Sequence, residues 1–325
     1  MNRAARVLAR CGLAVLTAAA ASAMAQTPYP QAPITVVVSY AAGGTADIAT
    51  RIVAEAMGQE LKTPFVVENR PGGGGAVGVQ AALRAKPDGY TLVSGSSEIS
   101  LAATGKTPAP QDVLERLTPL AQVAVAPMVL VARSDRPESV QQWRQRSRDP
   151  QDRVTYATPG ILTPMHLIMS KLADQAGMSP QHIPYNGGGR AVADLMGGQV
   201  DLVVVALGTV MGQIQAGQVK ALAVLNPQRS GLLPGVPTVG EALDQSFGAI
   251  PLTWFGWLAP AGTPAEVRSR LETALKTVMA QEPVRERLLQ AGLEPRFLEA
   301  AAFRRELAAE AEYYRDAAEL AARAQ

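Results

Sequence analysis

Two stretches of the chain share one design, in which a β-branched strand runs through a glycine-containing turn directly into an amphipathic helix. The first has the strand Ile34–Tyr40 and the turn Ala41–Thr45. The second has the strand Arg153–Ala157 and the turn Thr158–Gly160. Such a turn leaves the first backbone N–H groups of the helix unpaired, and the helix dipole makes that position favourable for an anion. Two such turns, far apart in the sequence, predict a cleft that closes around a small acid.

Length and charge limit the class of protein. The 325 residues exceed the usual size of one hydrophobic core, so we expect two domains. The formal net charge of +2 depends on Arg3, Arg6 and Arg10, because without them 27 basic residues stand against 28 acidic ones, a net charge of −1. No stripe of lysine or arginine with interleaved aromatic residues follows, so the sequence does not indicate a nucleic-acid partner.

Residues 1–25 are expected to be a cleavable signal peptide. Three arginines precede the apolar run Cys11–Ala21, and the small-residue triplet Ala23–Ala25 places the cleavage before Gln26. A membrane anchor is the less favoured alternative, since the run is shorter than the ~20 residues that a spanning helix needs. Export would place the protein in the periplasm. It would also remove Cys11, the single cysteine of the chain, so no disulfide or cysteine metal site is expected.

Strand, turn and helix alternate from Pro33 to Leu225, a pattern typical of a mostly parallel sheet covered on both faces. The pattern restarts after Val123, which indicates a second α/β unit. The tail after Thr263 is expected to be helical and to return to the first unit, since it has little sheet of its own to cover. Two crossings between the units would form a hinge, near Ala126–Ser134 and Phe247–Ala259. The expected domains are lobe 1 at 26–128 and 250–325, and lobe 2 at 129–249.

Short motifs then occur in a familiar order and spacing: Ala41–Asp47, Val67–Gly72, Pro87–Leu92, His166-Leu167, Pro184–Gly188, Gly197–Asp201 and Ala259–Pro264. Together they resemble the Bug family, the periplasmic substrate-binding proteins of tripartite tricarboxylate transporters. The resemblance covers essentially the whole mature chain. It implies the α/β fold of a type II periplasmic binding protein, with two lobes that close around a ligand.

The resemblance also implies a function. The chain would be a monomeric, non-enzymatic receptor without cofactor or metal, which captures a small organic acid, either a carboxylate or an amino acid. It would deliver that acid to membrane permease subunits, and presentation to a sensor kinase is the alternative. In the family, main-chain N–H groups from loops on both lobes hold the carboxylate of the ligand.

Carried onto this sequence, the resemblance makes Gly43, Gly44 and Thr45 the strongest anion contacts. Asp47 is favoured as a brace of the turn over a ligand group, because a second anion would repel an acid. Ile161-Leu162 stands where the family usually has Asn-Gly, which makes this part of the pocket drier. The residues expected to bind the ligand are Tyr40, Ala42, Gly43, Gly44, Thr45, Asp47, Ser96, Ser97, Glu98, Thr158, Gly160, Thr163, His166, Tyr185, Gly187, Gly188, Arg190 and Thr209.

Two charged residues depart from the family pattern, and each of them has two possible interpretations. Glu98 is either a solvated loop charge or a partner for an ammonium or hydroxyl group of the ligand. Arg190 is either solvated or bound to a distal carboxylate, which suits the guanidinium geometry. His166 could donate to an acid, although a structural hydrogen bond is favoured.

One motif suggests a different class of protein. Gly73–Gly78 satisfies G-x-G-x-x-G, and Glu98 follows at about the distance of a ribose-binding acid. The motif lies after the second strand of an exported chain, so a dinucleotide-binding enzyme is the disfavoured alternative. His166 and His182, the two histidines, fall in different elements, so neither a metal site nor a His-based triad is expected.

Overall fold

The computed structural model describes residues 29–136, 139–149 and 151–323. The expected signal peptide and its cleavage site lie outside these residues. Within the described ranges, no helix combines the length and apolar character that crossing a membrane requires.

The first sheet has six strands in the spatial order β11-β4-β10-β3-β1-β2. They are β1 (Ile34–Val38), β2 (Phe65–Asn69), β3 (Thr91–Gly95), β4 (Leu117–Ala126), β10 (Thr253–Pro260) and β11 (Glu294–Glu299). β1 pairs in parallel with both β2 and β3, so the carboxyl ends of these three strands lie at one edge of the sheet. The β-branched residues of β1 suit this position, because helices cover the sheet there and most residues of β1 are buried.

The second sheet has five strands in the order β7-β6-β8-β5-β9. They are β5 (Met128–Arg133), β6 (Thr155–Thr158), β7 (Gln181–Pro184), β8 (Leu202–Ala206) and β9 (Val219–Val224). β6 pairs in parallel with β7 and β8, and β5 runs antiparallel to β8 and β9. We call the first sheet with its covering helices lobe 1 and the second sheet with its helices lobe 2.

Helices cover both sheets. Those of lobe 1 are α1 (Thr45–Leu61), α2 (Ala76–Leu83), α3 (Glu98–Ala102), α4 (Val113–Arg116), α10 (Ala265–Met279) and α11 (Glu282–Gln290). Those of lobe 2 are α5 (Val140–Arg146), α6 (Pro164–Ala176), α7 (Gly188–Met196), α8 (Met211–Gln215) and α9 (Val239–Leu243). The last helix, α12 (Ala300–Arg323), contacts both lobes.

The chain passes from lobe 1 to lobe 2 at Pro127, between the end of β4 and the start of β5. It returns in the segment 244–252, between α9 and β10. The expectation of mostly parallel sheets is therefore only partly met. β10 returns beside β3 and β4 and runs antiparallel to both, because the chain re-enters the first sheet at the end where β4 left it, with Thr253 paired to Ala126.

The tail differs from the sequence-based expectation in two respects. It is not wholly helical, because β11 follows α11 and pairs antiparallel with β4. In addition, α12 packs its first half on lobe 1, where the Phe303 ring meets Trp254 edge to face at 4.8 Å. Its second half shares the lobe 2 core with α6 through Tyr314, Ala317 and Ala321. The tail thus connects the two lobes and does not cover lobe 1 alone.

Candidate functional site

The first glycine turn lies between β1 and α1, at the carboxyl edge of the first sheet. Gly43 has a φ of +80°, which favours glycine, and Gly44 is the N-cap of α1 without any side-chain capping hydrogen bond. The helical hydrogen bonds begin with Ile48 N–H, which donates to the Gly44 carbonyl at 3.0 Å. The N–H groups of residues 45–47 precede that bond and have no acceptor among the described residues. Ala42, Gly43 and Gly44 are exposed, so this end of the helix is open to a ligand.

The side chain of Asp47 stabilises the first turn from inside the protein. Its buried carboxylate accepts hydrogen bonds from Gly43 N–H at 2.9 Å, Arg51 Nε at 3.0 Å and Asn69 Nδ2 at 2.9 Å. Burial alone would raise the pKa of Asp47, but these donors outweigh it and lower that pKa. Of the two roles considered for Asp47, the geometry supports the brace. Asn69 at the end of β2 shares this role, and although it lies in the motif Val67–Gly72, its contact with Asp47 was not predicted from the sequence.

Glu98, the first residue of α3, is turned into the protein. Its side chain accepts a hydrogen bond from Tyr40 Oη at 3.2 Å and from Ser96 N–H at 3.0 Å, and the residue is only 5% exposed. Burial raises the pKa of Glu98 to about 7 despite these donors. Tyr40 as a whole residue is 37% exposed, but its hydroxyl donates inward to Glu98, so the glutamate holds the tyrosine beside the first turn. Burial of the hydroxyl and the adjacent Glu98 raise the pKa of Tyr40 well above its ordinary value.

The two serines before Glu98 are also buried. Ser97 Oγ donates to Glu310 of α12 at 2.8 Å, and Glu310 also accepts from Trp254 Nε1. Burial raises the pKa of Glu310. Ser97 is thus occupied inside the protein, while Ser96 uses its N–H group on Glu98. Nothing in the local sequence indicates Glu310, which lies more than two hundred residues from Ser97.

The second glycine turn lies between β6 and α6. Thr163 caps α6, since its hydroxyl accepts from His166 N–H at 3.4 Å, and the same hydroxyl donates to the Gly160 carbonyl at 2.8 Å. Leu162 adopts a φ of +57°, and its N–H donates to His166 Nδ1 at 3.1 Å. The N–H groups of Ile161, Thr163 and residue 165 have no acceptor among the described residues. This turn therefore also presents free backbone donors.

The two histidines hold the second turn in place. The His166 ring stacks on the His182 ring with centroids 4.0 Å apart, and His182 Nε2 lies 2.7 Å from Thr158 Oγ1. Burial lowers the pKa of both residues, that of His182 to about 4 with a further contribution from His166. Because His166 Nδ1 accepts from Leu162, the geometry supports the structural hydrogen bond of the two roles weighed for His166. The local sequence gave no sign of the stacking with His182.

A third turn, at the start of α7, adjoins the second. Gly187 has a φ of +109°, and its N–H donates to the Pro159 carbonyl at 3.0 Å. A Cβ on Gly188 would lie 3.1 Å from Thr209 Cγ2, so glycine permits the close approach of α7 to that threonine. Tyr185 Oη donates to Asp194 at 2.7 Å. The lobe 2 residues expected to bind the ligand thus lie around two adjoining turns.

Arg190 is the third residue of α7 and is exposed. Among the described residues it has no ion-pair partner. A cation in the first turn of a helix meets the positive end of the helix dipole, which is unfavourable without an anion nearby. The structure thus shows Arg190 exposed to solvent, and its contact with a distal carboxylate of the ligand stays a prediction.

Within the glycine run Gly73–Gly78, Gly75 and Gly78 serve packing. A Cβ on Gly75 would lie 2.7 Å from Glu98 Cγ, and a Cβ on Gly78 would lie 2.6 Å from Ser39 Cα. These glycines therefore let α2 approach β1 and α3 closely, which accounts for them without a dinucleotide. Within the described residues, no group of three His, Cys, Asp or Glu side chains could hold a metal ion.

Comparison with known proteins places the chain in a family. The tripartite tricarboxylate transporter family receptor matches residues 49–315. Protein BugT of Bordetella pertussis is 32% identical over 293 residues, which cover 89% of this chain and 89% of BugT. A UPF0065 protein of Cupriavidus necator, described as in the gbd 5' region, is 33% identical over 298 residues, which cover 90% of this chain and 89% of that protein.

Solved structures share the fold over nearly the whole chain. The periplasmic binding protein BugD is 32% identical with a TM-score of 0.72, covering 91% of this chain and 98% of BugD. The R. palustris protein Rpa4515 with adipate is 26% identical with a TM-score of 0.77, and the match covers 91% of this chain and 99% of Rpa4515. MatC from Rhodopseudomonas palustris with bound malate is 27% identical with a TM-score of 0.73, and the match covers 89% of this chain and 100% of MatC.

These likenesses confirm two predictions from the sequence, the resemblance to Bug receptors and the type II periplasmic binding protein fold with two α/β lobes. The chain therefore belongs to the tripartite tricarboxylate transporter receptor family, and it is a solute-binding receptor rather than an enzyme.

Proposed function

We propose that the protein captures a small organic acid between its two lobes in the periplasm and delivers it to the membrane subunits of a tripartite tricarboxylate-type transporter. One observation carries this proposal. Each lobe has, at the carboxyl end of a central strand, a glycine turn with unpaired N–H groups at the start of a helix of more than ten residues. Such groups suit a carboxylate, and two lobes allow contacts from both sides.

Closure of the lobes would follow from these contacts. The acid shifts the equilibrium toward the closed form only by the difference between its interactions with the closed and open forms. The proposed hinge consists of Pro127 and the segment 244–252. Lobe 1 was expected at 26–128 and 250–325 and lobe 2 at 129–249, and this hinge moves the first boundary to Pro127 because Met128 begins β5 of lobe 2. Adipate in Rpa4515 and malate in MatC are both carboxylates, which supports this ligand class.

Gly44→Val tests the anion site. The branched side chain would cover the N–H groups of the first turn, and the native φ of −76° at Gly44 is accessible to valine. The variant is expected to lose binding of every carboxylate. Gly235→Val is the control, because a Cβ at Gly235 would meet nothing within 4 Å.

The measurement is a thermal-shift screen of mono-, di- and tricarboxylates and amino acids, followed by calorimetry and circular dichroism. An acid at ~100 times its Kd should stabilise the native protein by about 2.7 kcal/mol, which raises the Tm visibly. A folded Gly44→Val protein with full affinity would refute the site. If no acid but a nucleotide raised the Tm of the native protein, the proposed function would fail.

A further inference from the structure

A cavity of about 750 Å³ lies in lobe 2, between α6, β7 and the end of α12. It extends from Ile161, beside the second glycine turn, to residues 178–180 beyond the end of α6. Because β7 begins at Gln181 and runs parallel to β6, residues 178–180 lie at the amino ends of these strands, away from the second turn. Every residue that lines the cavity belongs to lobe 2 or to α12, so the cavity is separate from the first turn. Its volume is typical of sites for small organic molecules.

Aromatic rings and apolar side chains make up much of the lining. The ring of His182 lies 4.0 Å from that of His166 and 4.9 Å from that of Tyr156, measured between centroids. Met178 and Leu320 add apolar surface, and Ile161 does so with 56% of its area exposed. A flat apolar group would remove this surface from water and stack on the rings, which favours an aromatic ligand.

His166 brings a hydrogen-bond donor to the cavity. Its Nδ1 accepts from Leu162 N–H, so the neutral ring carries its proton on Nε2. That Nε2–H group has no acceptor among the described residues, although His166 is only 3% exposed. The nitrogen is still reachable, since it is not one of the described polar atoms that are sealed from solvent without a partner. Because the side chain lines the cavity, a ligand there can accept from it.

His182 brings a hydrogen-bond acceptor. Thr158 Oγ1 donates its single hydrogen to the Gly160 carbonyl at 3.1 Å, so His182 Nε2 is the donor across the 2.7 Å to that oxygen. The lone pair of the neutral ring is then on Nδ1, which has no donor among the described residues. The two stacked rings thus offer one free donor and one free acceptor side by side.

The charges around the cavity oppose an anion. The lining contains no lysine or arginine, and Asp174 is its one carboxylate. Lys171 of α6 contacts the Tyr313 ring and Asp316 of α12 instead. Burial lowers the pKa of both histidines, that of His182 to about 4, so both rings are neutral at pH 7. An organic acid would therefore lose its hydration here without meeting a cation.

We propose that this cavity is a second binding site, which takes an uncharged aromatic alcohol of the phenol class. The hydroxyl group donates to His182 Nδ1 and accepts from His166 Nε2–H, so one oxygen satisfies both nitrogens. The aromatic ring lies against the apolar side chains of Met178 and Leu320. Since His166 also holds Leu162 N–H, the second site adjoins the second glycine turn through this one residue.

NMR of the mature protein with isotopically labelled histidine tests the site, because the chain has only two histidines. Without a ligand, both rings should be neutral and protonated on Nε2 at pH 7. Titration with para-cresol should then shift the ring-nitrogen signals of both histidines in a saturable manner, since each ring gains a hydrogen bond.

Matched ligands test the role of the hydroxyl group, with affinities measured on the same histidine signals. In para-xylene a methyl group replaces the hydroxyl, para-methylanisole lacks the donor, and para-toluate is an anion. Para-cresol should bind at least about tenfold more tightly than each of them, because each leaves a histidine nitrogen unpaired or adds a charge beside Asp174.

A variant that fills the cavity tests the location. Leu320→Trp puts a larger side chain into the lining and should weaken para-cresol about tenfold or more. Leu289→Trp is the control, since Leu289 is 42% exposed and lies on α11 of lobe 1. It should bind para-cresol like the native protein, and circular dichroism checks that both variants are folded.

Several results would overturn the proposal. They are unchanged histidine signals up to the solubility limit of para-cresol, a His182 ring protonated on Nδ1, and full affinity of a folded Leu320→Trp protein. Equal binding of para-xylene or para-toluate would do the same. These samples contain none of the acids used in the thermal-shift screen of the native protein, so the proposed function stands or falls separately.

Discussion

At the scale of single residues, Glu98 shows how burial changes the chemistry of a side chain. The fold raises its pKa to about 7, above the value of about 4.3 expected in an unfolded chain. The folded state therefore binds the proton more tightly than the unfolded state. The stability associated with this proton is fully present below about pH 4 and is lost as the pH rises through 7.

Glu98→Gln should remove this dependence, because glutamine keeps the shape of the protonated side chain without ionising. Relative to the native protein, the variant should gain stability between pH 5 and pH 8 by up to about 3 kcal/mol, since one pKa unit corresponds to about 1.4 kcal/mol. Urea unfolding of both proteins at several pH values measures this difference in stability. The histidines contribute equally to both proteins and cancel in the difference.

The exposed Glu115→Gln serves as the control for that series. It removes one carboxylate from the surface and so measures the effect of the lost charge without the loss of a buried group. A constant difference for Glu98→Gln would mean that Glu98 does not hold its proton in the folded state.

The sequence predicted the backbone of the site better than its side chains. Gly43 and the Thr163 cap follow from local rules for turns and helix starts, so a few neighbouring residues define them. The inward orientation of the Glu98 side chain could not be predicted from neighbouring residues, because its donor Tyr40 lies 58 residues away in the sequence. The same holds for Asn69, which braces Asp47 from another strand.

At the scale of elements, the units β1–α1 and β6–α6 could be predicted because each couples a β-branched run to a glycine turn and a periodic helix. β11 was not predicted. It is a short edge strand between two helices, and its pairing with β4 is interrupted between Pro295 and Leu298. Such a segment has little local signal, and its conformation depends on a partner that lies far away in the sequence.

The N-terminus of α6 gives a test at this scale. Thr163→Ala removes the hydroxyl that accepts from His166 N–H and donates to the Gly160 carbonyl. The variant should lose about 1 kcal/mol of unfolding free energy, as helix caps of this kind do. Thr163→Ser keeps the hydroxyl and should stay within a few tenths of a kcal/mol of the native protein. Urea unfolding at pH 7 compares them, and equal losses in both variants would contradict the capping role.

At the scale of the whole molecule, α12 sets the conditions for any closing motion. Pro127 and the segment 244–252 are the two points at which the chain passes between the sheets, but α12 adds a third connection through packing alone. Its contact with α6 includes Tyr314 and three alanines, Ala317, Ala318 and Ala321. In addition, Lys171 of α6 lies 4.2 Å from the centre of the Tyr313 ring and 3.6 Å from Asp316 Oδ2. The short alanine side chains interlock less than long ones, so the alanine part of the contact opposes a small shift of the helices less than large residues would.

We therefore expect the lobes to close as rigid bodies about the two crossings while α12 shifts against α6. Small-angle scattering should show a smaller radius of gyration when the native protein is saturated with the acid that gives the largest thermal shift. Gly44→Val at the same acid concentration should keep the radius of the free protein, because the acid cannot reach the first turn. An unchanged radius of the native protein at saturation, verified by calorimetry on the same sample, would show that the cleft is closed before the acid arrives. The free energy of binding would then come from contacts in a preformed cleft, without a shift between open and closed populations.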